Sequence, residues 1–350
     1  MSLYDAVKDL PLKIDGYELV RHELAVSSGF DRVTTEFVLS GSGQTGRGED
    51  VIYDTEDHDA LQQSQDELPL RFEGTFGEFS ERLAGVDLFP QPPLREPSVN
   101  YRRWAVESAA LDLALRQAGK TFDQVIAIQP RPVRFILSLR LGDPPSAERV
   151  DNWLAVAPWL EFKLDAETSW SRELIEQLAA SGRVESIDLK GLYEGTLVDN
   201  PPDARLYRDV VELFPTAWIE DAKINDETWP VLEPAVDRLT WDAPLHSVAD
   251  IEALEHAPKC INVKPSRFGP VSELLAVVDY CRERGIEMYS GGQFELSIGR
   301  QQLHALASVF FPESANDASP VEYHAPHPAA GVPASPLKPP ATRRGFGWHD

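Results

Sequence analysis

The sequence predicts an α/β protein: a modified TIM barrel, (β/α)7β, preceded by an α+β capping domain. Three observations carry this. From residue 133 onward, short β-rich runs alternate regularly with amphipathic stretches. Before that, residues 12 to about 55 read as strands and turns, and residues 76 to 120 turn helical. No G-x-G-x-x-G follows any strand, which leaves the rival open doubly wound sheet without support.

The first part opens with EFVLSGSGQTGRGEDVIY, two apolar runs around a Gly/Ser-rich turn, which is a hairpin signal. RRWAVESAALDLALRQAGK follows as a helix, with Ala105, Ala109 and Leu113 on one face and Gly119 as its C-terminal stop. So many alanines on one face imply close packing against another element. The barrel strands are then VRFILSLRL, LEFKL, ESIDL, AWIED, RLTWD, CINVK, EMYSGG and SVFFP. Stretches such as SRELIEQLAASG, ARLYRDVVELF and VSELLAVVDYCRERG lie between them as helices. Eight strands separated by helices close into a parallel barrel, because βαβ units connect right-handedly. The proline-rich tail after residue 320 reads as an extended segment. The expected units are a cap over 1–130, a barrel over 131–318, and a tail over 319–350 that packs back on the cap or surface.

Composition narrows the function. The 350 residues carry 57 Asp and Glu against 33 Lys and Arg, a formal net charge of −24, which argues against a nucleic-acid partner. No apolar run is long enough to span a membrane, and the N-terminus lacks the pattern of a secretory signal. Cys260 and Cys281 lie in apolar-periodic segments without metal-type spacing, so they read as buried thiols of a reducing, cytoplasmic protein.

In a TIM barrel the working residues stand at the C-terminal ends of the strands. Here the second strand ends Lys163-Leu164-Asp165, the third Asp188-Leu189-Lys190, the fourth Glu220-Asp221, the fifth Asp242 and the sixth Lys264. The seventh runs into Gly291-Gly292-Gln293-Phe294-Glu295. One Asp at a strand end often caps the following helix. Three successive carboxylates, Asp188, Glu220 and Asp242, repel one another unless a cation intervenes, and a hard divalent ion such as Mg²⁺ suits oxygen ligands with open positions. The flanking lysines add a base: a lysine beside a metal and another cation is pushed toward its neutral form. A metal on a substrate carboxylate lets the neighbouring carbon lose its proton. Lys223, His246, Ser266 and Arg267 read as ordinary rim or loop residues. Arg21 and His22, with the SSGFDR segment, are placed to cover the barrel mouth.

At these residues the sequence resembles the enolase superfamily, and within it the muconate-lactonizing and o-succinylbenzoate synthase-like branch (mandelate racemase/muconate lactonizing enzyme family). TGRGED resembles the close of that family's cap sheet, and AVESAALDLALRQAGKTF its last cap helix. INVKPSRFGPVSELLAVVDYCRERGIEMYSGGQFELSIGRQQLHALAS is similar to its sixth-to-eighth strand region. The resemblance implies Mg²⁺ on Asp188, Glu220 and Asp242, Lys264 as acid/base lysine, Glu295 as a rim glutamate at the substrate, and a small-molecule carboxylate substrate.

The sequence also departs from that pattern. Where the branch carries Lys-x-Lys on the second strand, this chain has Lys163-Leu164-Asp165, so an aspartate takes the base position; a shift of register that puts Lys163 there is the alternative. Lys190 replaces an asparagine, and Asp242-Ala243 replaces Asp-Glu. Asp165 and Lys190, on neighbouring strands, are expected to pair, with Lys190 either a relocated acid/base or half of a structural ion pair. Asp317-Ala318-Ser319 lacks one aspartate of the Asp-x-Asp that dipeptide epimerases of the family carry. The expected activity is Mg²⁺-dependent abstraction of a proton α to a carboxylate, with elimination or cycloisomerisation favoured over racemisation. The alternatives are a non-catalytic metal-binding relative and a Schiff-base lyase using Lys264. Assembly as a homo-oligomer is compatible with the sequence, which gives no stoichiometry.

Overall fold

The computed structural model describes all residues except 1, 27–29, 66, 194, 196–197, 326 and 349–350, so part of the SSGFDR segment lies outside the described residues. Two small antiparallel sheets build the N-terminal part. Strand β1 (Pro11–Ile14) will pair with β5 (Phe72–Thr75), and β2 (Gly16–Ala25), β3 (Asp31–Gly41) and β4 (Gln44–Asp50) form a three-stranded sheet. The β3–β4 hairpin is the one the sequence predicts, with Gly41 opposite Gln44 at its turn.

The helix Ser98–Gln117 lies on this sheet with almost its whole length buried. Its alanine face has a counterpart in β4. A side chain at Gly46 would come within 2.2 Å of the Leu113 nitrogen, and one at Gly48 within 2.1 Å of the Ala105 oxygen. Sheet and helix backbones therefore approach as closely as the alanines suggest, and only glycine permits it.

Six of the barrel strands follow as β6 (Leu137–Leu139), β7 (Phe162–Asp165), β8 (Val184–Asp188), β9 (Trp218–Glu220), β10 (Leu239–Thr240) and β11 (Cys260–Val263), and the seventh is β12 (Glu287–Ser290). β6 to β10 pair in parallel in sequence order, and β11 pairs with β12. The Asn262 amide donates to the Trp241 carbonyl at 3.0 Å and joins β10 to β11. Closure runs through Asn316 and Asp317. Phe135 bridges Asn316 and Gly291 bridges Asp317, both in parallel. The ring is thus complete.

The eighth strand corrects the sequence reading. SVFFP does not supply it: Ser308, Val309 and Phe310 end the helix Ile298–Phe310. Val309 and Phe310 have strand-like side chains, but here they cover the barrel as part of a buried helical face.

The cap is fastened to the barrel by Glu49, fully buried near the end of β4. Its carboxylate accepts from the amides of Leu296 (2.6 Å), Ser297 (3.0 Å) and Gly299 (2.9 Å). These are unsatisfied donors at the start of the helix Ile298–Phe310, where a negative charge also meets the positive end of the helix dipole. The tail returns to the N-terminal part, where Phe346 meets Trp104 edge-on and Phe122 at a tilt. Cys260 and Cys281 are both free and buried. Among the described residues no helix is long and apolar enough to cross a membrane.

Candidate metal and acid/base site

The C-terminal ends of β7 to β11 bring the charged residues together. Asp188 and Glu220, fully buried, close β8 and β9 and face each other in register. One oxygen each of Asp188, Glu220 and Asp221 lies within 4.8 Å of the others.

Asp221 is the member that sequence reasoning did not select. Strand alternation places it opposite Glu220, but it has φ of 51°, in the left-handed region, so the alternation is broken where β9 ends. Its carboxylate accepts from the Asp242 and Ala243 amides at 2.9 and 3.0 Å. Lys190 and Phe294, also on the rim, share this conformation with φ of 51° and 54°. Strain of this kind costs on the order of 1–3 kcal/mol per residue and gathers at functional sites.

Asp242 stands apart from that cluster. Lys264 donates to its Oδ2 at 2.6 Å, Tyr193 hydroxyl donates to the same oxygen at 3.0 Å, and Arg267 Nε lies 2.9 Å from Oδ1. Burial alone drives the Asp242 carboxyl up, but Arg267 and Lys264 outweigh it and hold it far below the usual carboxylate range. In return, Asp242 overcomes the burial of Lys264 and holds its ammonium above the ordinary lysine value. Arg267, which reads in the sequence as a loop residue, is therefore part of the rim. So is Tyr289 of β12, whose hydroxyl donates to Glu220 Oε2. Nothing in the sequence separates it from an ordinary core tyrosine.

The second-strand lysine turns inward. Lys163, 1% exposed, donates to Glu220 Oε1, and its Nζ is 3.3 Å from Asp188 Oδ2. Asp165 is held by Arg140 at 3.1 Å and lies 3.7 Å from Lys190 Nζ, so the expected pairing across β7 and β8 is present. Lys190 also donates to Asp188 Oδ2. Glu295 is buried, but its carboxylate accepts from the Gln293 amide at 2.7 Å and pairs with Arg300 at 2.9 Å rather than with the rim lysines. The cap reaches this edge: Tyr53 hydroxyl donates to Gln293 Oε1 at 2.9 Å, and Arg32 to the Gln293 carbonyl at 3.0 Å.

The donor set fits a hard divalent ion. Burial pushes the Glu220 and Asp221 carboxyls up, with neighbouring carboxylates adding to it, so negative charge at these positions is under-compensated by the protein. Asn262 Oδ1 is buried and receives no hydrogen bond, and Asp242 Oδ1 faces the Arg267 guanidinium at 2.9 Å. Such oxygens are ligands that Mg²⁺ accepts.

Two family models divide the chain between them. "Domain of unknown function (DUF8230) C-terminal domain" matches residues 129–325, and "Domain of unknown function (DUF8230) N-terminal domain" matches residues 5–125. The chain belongs to the DUF8230 family. This DUF8230 protein is 25% identical over 334 residues to N-succinylamino acid racemase of Thermus thermophilus, covering 87% of this chain and 81% of that one. It is 45% identical over 51 residues to o-succinylbenzoate synthase of Bacillus subtilis, a match that spans 15% of this chain and 14% of that protein.

Among solved structures, a mandelate racemase/muconate lactonizing protein from Herpetosiphon aurantiacus superposes with a TM-score of 0.70 at 15% identity, covering 97% and 98% of the two chains. A dipeptide epimerase from Methylococcus capsulatus, complexed with Mg ion, gives 0.64 at 18% identity over 87% and 89%. The fold of this chain is that of enolase-superfamily structures, with a cap and a modified barrel, and its sequence is similar to the racemase and synthase named above.

Proposed function

We propose that this protein is a Mg²⁺-dependent enzyme that removes a proton α to a carboxylate of a small molecule. The observation that carries the reading is the convergence of Asp188, Glu220 and Asp221 beside Asp242 and its lysine, at the C-terminal rim of an enolase-superfamily barrel. Asp188, Glu220 and one of Asp221 and Asp242 would hold the ion. When bound, the ion supplies positive charge next to the substrate carboxylate and so acidifies the neighbouring C–H.

The chain's own residues do the rest. Lys264 Nζ takes up or returns the proton, and Asp242 and Arg267 fix its position and charge. Arg140 and Lys190 hold Asp165, which leaves no free lysine at the usual second-strand base position. A single acid/base lysine favours elimination or cycloisomerisation; a two-base racemisation would require Lys190 to serve the opposite face. The gene-product relatives suggest N-succinylamino acids as the first substrates to try, and the two free thiols are consistent with a reducing cytoplasm.

The test is incubation with Mg²⁺ in D₂O against a panel of N-acylamino acids and hydroxy acids, read by mass spectrometry. Deuterium gained at the α-carbon, or water lost from the substrate, is expected with at least one compound and is expected to stop with EDTA. Turnover that EDTA leaves unchanged would overturn the metal-dependent reading. Silence across the panel from protein that binds Mg²⁺ would favour a non-catalytic relative.

A further inference from the structure

Lys163 is a cation set where the rim carboxylates converge. Its side chain is 2% exposed and it contacts both Glu220 and Asp188. A third carboxylate is already in reach: Asp317 Oδ2 lies 3.7 Å from the same ammonium. Among the described residues Lys163 is the one cation within 4 Å of the Asp317 carboxylate.

Asp317 is well placed to receive it. Its amide donates to the Ser290 carbonyl at 2.7 Å, and its carbonyl accepts from the Gly292 amide at 3.1 Å, so the backbone is fixed on the closing strand of the barrel. Its side chain is 16% exposed, whereas Asp188 and Glu220 are fully buried.

A divalent ion on Asp188 and Glu220 competes with the Lys163 ammonium for their negative charge. At a separation of about 4 Å the two cations repel strongly in a partly buried site. Removing Lys163 to bulk water is not open to a side chain so enclosed, and leaving it unpaired inside the barrel is costly. The four-carbon stem of lysine allows a short swing.

We propose that Lys163 is the built-in counter-ion of the rim, and that a divalent ion binding Asp188 and Glu220 hands its ammonium over to Asp317. This rests on the metal-binding reading above. Asp317 is then a positioning residue for Lys163, and metal affinity is set by the difference between two lysine partners as well as by the ligands.

The experiment is isothermal titration of Mg²⁺ into the wild-type chain, Lys163→Met, Asp317→Asn and the double variant. Lys163→Met is expected to bind Mg²⁺ about tenfold tighter or more, because the ammonium shared by Glu220 and Asp188 is gone and Lys190 on Asp188 is the competing cation that stays. Asp317→Asn is expected to bind about fivefold weaker or more, and this loss is expected to vanish in the Lys163→Met background. Asp317→Asn keeps every buried ion pair of Lys163 with Asp188 and Glu220, so it reports even if Lys163→Met folds poorly. Equal affinities in all four proteins would overturn the handover and leave the metal site standing. A weakening by Asp317→Asn that persists without Lys163 would overturn it too, as a general effect of charge. No Mg²⁺ binding by any of the four would overturn the metal reading, and the handover with it.

Discussion

Lys264→Ala is expected to lower Mg²⁺-dependent α-proton exchange by about 10³-fold or more, within the range that a positioned acid/base supplies, plus the loss of its fixed charge. Lys264 is 7% exposed at the end of β11, and its ammonium lies 2.6 Å from Asp242. The alanine variant leaves Asp242 with Arg267 and Tyr193, so Asp242 remains paired and the rim is expected to persist. The check is the exchange rate of wild type and variant at saturating Mg²⁺, beside a Mg²⁺ titration of each. Loss of exchange with metal binding retained locates the proton transfer at Lys264. Exchange within a few fold of wild type would remove Lys264 from the chemistry and turn attention to Lys190.

The largest effect on stability is expected at Arg102, far from any acid/base role. This arginine is fully buried in the helix Ser98–Gln117. It donates to Asp50 at 2.8 Å, to the Leu88 carbonyl at 3.2 Å and to the Asp57 carbonyl at 3.0 Å. Its guanidinium also covers the Phe89 ring at 3.9 Å. Arg102→Met keeps much of the volume but strands a buried carboxylate and two carbonyls. The cost is expected to be about 3–5 kcal/mol in urea unfolding. Adding Asp50→Asn to Arg102→Met is expected to restore part of that loss, because an uncharged amide is cheaper to bury alone. A cost below about 1 kcal/mol would mean that water reaches Asp50 and the two carbonyls once the guanidinium is gone.

The barrel was legible because β-rich runs and amphipathic stretches alternate on a scale that helix–strand packing enforces. The last strand was not, for a physical reason. Asn316 and Asp317 close the ring through two bridges, too short to leave an apolar run, while Val309 and Phe310 imitate a strand inside a helix. At the site, the positions of Asp188, Glu220, Asp242 and Lys264 follow from strand ends alone. The pairing of Asp165 with Lys190 follows from the neighbouring strands, whose register sets Asp165 against Asp188.

What strand ends do not show is how the charges divide. Asp242 goes to Lys264, Arg267 and Tyr193, and Asp221 joins Asp188 and Glu220 through a left-handed residue that pattern reading treats as ordinary strand. Pattern reading sets Lys163 beside the base position or, with a shift of register, on it, whereas its ammonium lies among the carboxylates themselves. These are decisions of side-chain direction and local φ, and a sequence period carries neither.

The central claim is that the rim binds a divalent ion on Asp188 and Glu220. Crystals grown with Mn²⁺ and measured at the manganese absorption edge test it directly. The account predicts one strong anomalous peak about 2 Å from oxygens of Asp188 and Glu220 and from a third rim carboxylate. A Mn²⁺-loaded crystal with no peak on the rim would contradict it.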